Sequence, residues 1–352
     1  MSYSIKQKLG VIIYDWLWFE KGLRGRAGAN GRHSPWVDIS NRNELLERAS
    51  NAPGVLCKWQ WTSDLHAPKV FPSLGIRLMK RAFEDWPVVF KDEPLVQQED
   101  VEVSFVIGHR GVERLPHLLT TLTTIAAQLD VACECIVVEQ SVTPQIMDVM
   151  PKWARYIHTP LPYPDMPYCR SWAFNVGAEA AKGDVVVLHD NDMLLPQDYA
   201  VQILERYKEG YEVMNFKRFI FYLSKSHSEH IWSSRILDLD EAPATVVQNL
   251  EAGGSVAISK KAYFEIGGFD ESFLGWGGED NEFWERAQTR KVWPYGYLPV
   301  IHLWHRPQPG KFDDRITRKD LYWMRSKEPV EQRIARLINL STGSISGPVI
   351  SQ

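Results

Sequence analysis

Short apolar runs and helically spaced apolar positions alternate along the chain from about residue 100. "VEVSFVIG" (Val101 to Gly108), "CECIVVEQ" (Cys133 to Gln140) and "DVVVLHDND" (Asp184 to Asp192) are nearly unbroken runs of strand length, and "ARYIHT" reads as a short further strand. Between them, "ERLPHLLTTLTTIAAQL" and "RSWAFNVGAEAAKG" carry apolar residues at helical spacing, the second closed by Gly183. This rhythm predicts an α/β domain around a largely parallel sheet. Ligands of such sheets sit beyond the carboxyl ends of the strands, which is where "HDND" falls.

The pattern ahead of residue 100 is less regular. "SIKQKLGVIIYDWLWFEKGLRGR" predicts an amphipathic helix with basic flanks. "GRAGANGR" (Gly25 to Arg32) lacks the Lys-Ser/Thr of a phosphate loop and reads as a connector. The polar, acidic "KDEPLVQQED" (Lys91 to Asp100) marks a boundary. The expected division is an N-terminal extension (1–95), an α/β domain (96–320) and a C-terminal tail (321–352).

With 352 residues the chain has room for one large domain and an appendage. A formal net charge of -4 leaves no footprint for nucleic acid. Cys57, Cys133, Cys135 and Cys169 match neither a zinc-binding spacing nor a disulfide framework, so a reducing cytoplasm is the expected location. The run "VIIYDWLWF" (Val11 to Phe19) is interrupted by Asp15 and falls short of the roughly 20 residues that span a bilayer. Most of the fourteen tryptophans are expected in the core, but so high a number also suits a cleft where flat apolar faces stack on sugar rings.

Three stretches carry candidate chemistry. In "VVVLHDNDMLLP" a buried strand ends in Asp190 and Asp192, whose oxygens suit Mg²⁺ or Mn²⁺ shared with substrate phosphates; the bland reading is an Asp-rich turn. "PVIHLWHRPQPGK" adds His302 and His305 beyond a predicted strand, whereas His227 and His230 of "HSEH" read as surface. "FLGWGGEDNEFWERA" (Phe273 to Ala287) sets Glu279 and Asp280 behind two glycines and between Trp276 and Trp284. That is either a helix start with acids at its positive end or a catalytic carboxylate beside a sugar-stacking ring.

Taken in order, "FVIGHR", "IVVEQ", "YCRSWAFNVGAEAAKGDVVVLHDNDMLLP", "AGGSVAISKKAYFEIGGFDESFLGWGGEDNEFWERA" and the late histidine resemble the GT-A-fold glycosyltransferases. Within these, the stretch from about Val101 to Asp320 is most similar to family-2-type bacterial enzymes and to β-galactosyltransferases with a WGGED signature. The resemblance implies a Rossmann-like, mostly parallel nucleotide-diphospho-sugar transferase fold. It implies that Asp192 and His305 hold Mn²⁺ (or Mg²⁺), His305 fitting better than His302 by its distance from Pro299. Arg110, Glu139, Tyr168, Arg170, Asn175, Asp190, Gly253 and Gly254 match nucleotide-sugar-binding positions, and Lys311 belongs with them on a Pro/Gly lid, "RPQPGKFDDR". Trp276 matches a tryptophan floor, Glu279 an acceptor-binding acid and Asp280 the catalytic base. Glu251 stands where the galactosyltransferases have a tyrosine, which leaves the donor sugar open.

The implied function is metal-dependent, inverting transfer of a sugar from a UDP-sugar to a glycan or lipid-linked glycan acceptor, in bacterial surface polysaccharide synthesis. The alternatives are a retaining transferase of the same fold, a sugar nucleotidyltransferase and a glycan-binding module. "IGHRGVERL" lacks the glycine-rich loop that a nucleotidyltransferase needs. The expected location is the cytoplasm. For Lys6 to Arg26 two readings stay open: contact with the inner face of the membrane, or packing on the α/β domain.

Overall fold

The structure, a computed structural model, describes residues 3–25, 34–50, 52–58, 62–96, 99–248, 252–307 and 319–343. Twelve strands concern the site: β1 Ser63–Asp64, β2 Val103–His109, β3 Cys133–Ser141, β4 Arg155–Pro160, β5 Val185–His189, β6 Met193–Leu194, β7 Val213–Met214, β8 Lys217–Tyr222, β9 Thr245–Gln248, β10 Ser255–Ser259, β11 Val292–Trp293 and β12 Leu298–His302. Seven form the central sheet in the order β11-β7-β10-β5-β2-β3-β4. It is parallel except at β10, which runs antiparallel to both β5 and β7. The mostly parallel α/β sheet expected from the apolar rhythm is therefore present.

Alternation along the strands sorts the core onto two sides. Phe105, Ile107, Val137 and Val187 face one hydrophobic cluster with Leu118 and Leu122 of helix α1 (Leu115–Ala126). Val106, Ile136, Val138, Val186 and Leu188 face another with Phe174 of α2 (Arg170–Ala180) and Phe283 of α3 (Glu279–Ala287). The first strand starts at Val103 rather than Val101, and α2 ends at Ala180, ahead of Gly183.

A second sheet, β1-β9-β8-β12-β6, builds the far wall of the site. Within it β8 and β12 are parallel, and β6 pairs antiparallel with the end of β12, setting His302 opposite Met193. That pairing brings Asp192, one residue before β6, beside His302; the Leu303 amide donates to the Asp192 carbonyl at 2.8 Å.

The flanking segments are tied to these sheets. β1 extends the second sheet through Asp64 opposite Val247. Buried Arg218 on β8 donates to the carbonyls of Val37 (2.6 Å) and Ile39 and to Gln248 Oε1. The boundary expected at 320 falls inside a helix, Lys319–Arg325. That helix packs on α3: the Tyr322 hydroxyl donates to Glu285 at 2.6 Å, as does Arg333 from the next helix at 2.7 Å.

Candidate active site

Asp192, His302 and His305 form a cluster whose nearest ligand atoms all lie within 4.8 Å of one another. Nε2 of His305 is 3.3 Å from Asp192 Oδ2, and Nε2 of His302 is 3.8 Å from Oδ1. The Nδ1 of His305 lies 2.6 Å from the Arg306 carbonyl. A carbonyl only accepts, so Nδ1 carries the hydrogen, and in the neutral ring Nε2 presents a lone pair to the carboxylate. Two electron-rich atoms facing each other at that distance call for a positive charge between them. Burial also favours the neutral ring, lowering the His305 pKa. Among the described residues, Oδ1 of Asp192 is buried without a hydrogen-bond partner. Burial opposes its charge, but His302, Arg114 and His305, the two rings when protonated, hold the carboxyl down at about 2. Tyr222 stacks on His302 at 4.2 Å between centroids and fixes the plane of that ring. One carboxylate and two imidazoles with fixed orientation fit a divalent cation.

A second cluster joins three segments through one guanidinium. Arg170, at the first position of α2, donates to Asp190 Oδ1 from Nε at 2.9 Å and to Asp280 Oδ1 from its terminal nitrogen, with Glu279 Oε1 at 3.8 Å. Asp190 and Asp192, two apart in the sequence motif, thus serve different partners. The Asp190 amide also donates to the Gly254 carbonyl at 2.8 Å. Gly253 and Gly254 have φ of 77° and 71°, and a Cβ on Gly253 would lie 2.7 Å from Asp280 Oδ2. A glycine is required there by backbone and by space.

Glu279 and Asp280 open α3 after the left-handed Gly277 and Gly278, at φ 104° and 92°. Glu279 is buried, and its Oε2 accepts from the Gly277 amide at 3.1 Å. Burial first, and then the charge of Asp280, raise its pKa to about 7 despite Arg170 and the helix terminus. Asp280 is more open, and among the described residues its Oδ2 makes no hydrogen bond. Trp276 is half-buried at the mouth of this turn.

Other expected positions hold the frame. Arg110 donates to the carbonyls of Gln140 (3.0 Å) and Met166 (2.7 Å) and lies over the Tyr168 ring at 5.4 Å. Glu139 accepts from Tyr156 (2.6 Å), Ser141 (2.8 Å) and the amides of Gln145 and Ile146, and so fixes the shape of the loop after β3. Tyr168 is half-buried, its hydroxyl without a hydrogen-bond partner among the described residues. Asn175 is engaged within the fold: its Nδ2 donates to Phe269 O and Glu271, while its Oδ1 accepts from Tyr263 and the Phe269 amide. Its amide thereby ties α2 to the segment 269–271. His227, read as surface, is fully buried, while His230 is exposed. Glu251, Lys311 and most of the expected lid lie outside the described residues.

Three site residues had no motif to announce them. Arg114, just ahead of α1, donates to Asp192 Oδ2 at 3.2 Å. Lys217 is buried on β8 and donates to the Ser255 carbonyl at 2.6 Å; burial lowers its pKa to about 7 against the pull of Asp280 and Asp190. Tyr222 ends the same strand. The strand "KRFIFY", a charged start on an otherwise apolar run, could have signalled Lys217 and Tyr222, and nothing in the sequence marked Arg114.

A model for the family described as glycosyltransferase like family 2 matches residues 104–294. A chondroitin synthase from Escherichia coli is 34% identical over 101 residues, 25% of this chain and 15% of that protein. A beta-1,4-galactosyltransferase 5 from Danio rerio is 31% identical over 126 residues, 35% of this chain and 27% of that protein. The chain thus spans 27% or less of the length of these curated relatives. A crystal structure of GalNAc-T7 with UDP, GalNAc and Mn²⁺ is similar with TM-score 0.44 and 15% identity, over 66% of this chain and 48% of that one. With the family match, the mostly parallel sheet has the GT-A fold class expected from the sequence.

Proposed function

Because the chain belongs to the glycosyltransferase like family 2 and is thus a glycosyltransferase, we propose that it moves a sugar from a UDP-sugar to a hydroxyl of a glycan or lipid-linked glycan, with inversion and with Mn²⁺. The observation that supports this reading is the Arg170 bridge, which ties Asp280 to Asp190, two residues before the Asp192 of the Asp192–His302–His305 cluster.

Asp192, His302 and His305 would hold the cation, the donor diphosphate completing its shell. Two imidazoles favour Mn²⁺ over Mg²⁺, which prefers oxygen ligands throughout. When bound, the cation offsets the charge of the departing diphosphate as a Lewis acid. Arg170 and Asp190 orient the donor sugar and ribose side of the pocket, and Trp276 forms an apolar floor for a sugar ring. Glu279 receives an acceptor hydroxyl. Asp280 accepts the proton of the attacking hydroxyl through its open Oδ2 while the new C–O bond forms at the anomeric carbon and the bond to the diphosphate breaks. A base on the acceptor side and a cation on the leaving-group side suit a single displacement, hence inversion.

The names of the relatives point to hexosyl transfer, and the expected setting is surface polysaccharide synthesis at the cytoplasmic face of a membrane. The test is a panel of UDP-sugars assayed for Mn²⁺-dependent UDP release and product anomer, in wild type and Asp280→Asn. Loss of ~10²–10⁴-fold in transfer with unchanged UDP-sugar affinity is expected. Transfer within about threefold of wild type in a folded variant, or UDP release indifferent to EDTA, would overturn the reading.

A further inference from the structure

Residues 5–24 form one continuous helical segment, α-helical over Ile5–Gly10 and Trp16–Arg24 with a π turn over Val11–Asp15 between them. Among the described residues no helix is long and apolar enough to cross a membrane. This segment has two apolar faces. Val11, Phe19 and Leu23 are buried in the core, and Trp16 packs edge-on against Phe71 at 5.9 Å. Ile5, Leu9, Ile13 and Leu17 recur at every fourth position on the other side, and they are 78%, 50%, 61% and 76% exposed. The wider π turn adds one residue to the middle of the segment, so a spacing of four keeps both ridges in line where a plain α-helix would let them drift. Ile12, Tyr14 and Trp18 widen the outer ridge.

Charge on this segment is sorted as sharply. Its acids are both directed to the protein: Asp15 is buried and accepts from Arg42 at 2.8 and 3.0 Å, and Glu20 pairs with Arg77 and Arg24. Lys6, Lys8 and Lys21 are exposed. The outer surface is therefore apolar and cationic with no free carboxylate.

We infer that this ridge lies in the headgroup region of an anionic lipid surface, its aliphatic side chains in the acyl boundary and its lysines on lipid phosphates. A bilayer asks for apolar depth plus unopposed cations, and the aliphatic ridge with Lys6, Lys8 and Lys21 around it supplies both. The inference rests on the proposed lipid-linked acceptor for its purpose and adds how that acceptor is met. The helix is coupled to the site by a short relay. Arg42 holds Asp15 and the Gly10 carbonyl; next to it Asn41 donates to the Asp64 carbonyl and accepts from the His66 amide. Asp64 pairs with Val247, Val247 with Ile220, and β8 ends at Tyr222 opposite His302.

The test is co-sedimentation of the full chain with phosphatidylcholine vesicles with and without phosphatidylglycerol. Wild type should sediment with the anionic vesicles and be released by high salt. Ile13→Glu combined with Leu17→Glu, both outward-facing, should weaken sedimentation at least about tenfold at unchanged melting temperature. Wild type remaining in the supernatant, or equal sedimentation of the double variant, would overturn the inference. So would a wild-type dimer that the double variant dissociates, which would give the ridge to a second copy. UDP-sugar hydrolysis in the same preparations reports the transferase reading separately: hydrolysis without vesicle binding overturns only the lipid surface, and vesicle binding without hydrolysis only the transferase.

Discussion

At Glu279 and Asp280 two adjacent acids of one motif have different surroundings, and the difference separates their roles. Asp280 keeps one oxygen on Arg170 and the other open. Glu279 is buried beside that charge, and its carboxyl titrates near 7. The folded protein therefore retains a proton that an unfolded chain has released from its ordinary carboxyl at lower pH. The stability this residue contributes is full below the unfolded pKa and is lost as pH rises through about 7. Glu279→Gln mimics the protonated form, so the variant should match wild type in Tm near pH ~5 and exceed it by pH ~8. Comparing the two melting curves removes the opposing contributions of buried histidines, which both proteins share. A Tm difference that stays flat across that range would show that Glu279 is ionised in the fold. The motif named both acids, but only burial distinguishes them.

Among elements, the turn at Gly253–Gly254 governs how closely β10 approaches α3. The left-handed backbone costs an alanine about 1–2 kcal/mol, and its methyl would meet the Asp280 carboxylate. The side chain is the softer partner, so Asp280 should move while the fold persists. Gly253→Ala is expected to lower kcat about tenfold or more, a cost typical of a misplaced catalytic group, with a small fall in Tm. Activity within about twofold of wild type would show that Asp280 does not depend on this turn. The strands and helices of the α/β region were legible because each is a long, one-period apolar pattern. In the second sheet only β12 was legible as a strand: β6 and β9 are short, and the pairing is set by neighbours far along the chain.

For the whole molecule, the extension and the tail are built into the walls of the site. Arg218 holds the Val37 and Ile39 carbonyls and Gln248 in a buried position. Arg218→Leu leaves three buried acceptors without a donor, at roughly 1–3 kcal/mol each and less than additive. A loss of about 3 kcal/mol or more in urea unfolding is expected, with residues 34–64 becoming accessible to protease. A loss under about 1 kcal/mol would mean that the segment merely rests on the sheet. This integration left no trace in sequence pattern, since backbone carbonyls carry no residue identity.

What the sequence determined alone was whatever follows from local periodicity and ordered motifs: the parallel α/β core, the glycosyltransferase family and the acids from which a site would be built. Tertiary structure decided which of those groups meet. It joined His302 and His305 to Asp192 through an antiparallel pairing of two short strands and recruited Arg114 and Tyr222 without a motif. It also turned Asn175 to structural work and left one ridge of the leading helix facing outwards. Patterns of a few residues encode secondary structure, but a site depends on contacts between residues a hundred positions apart, and those are settled only when the sheets close on each other.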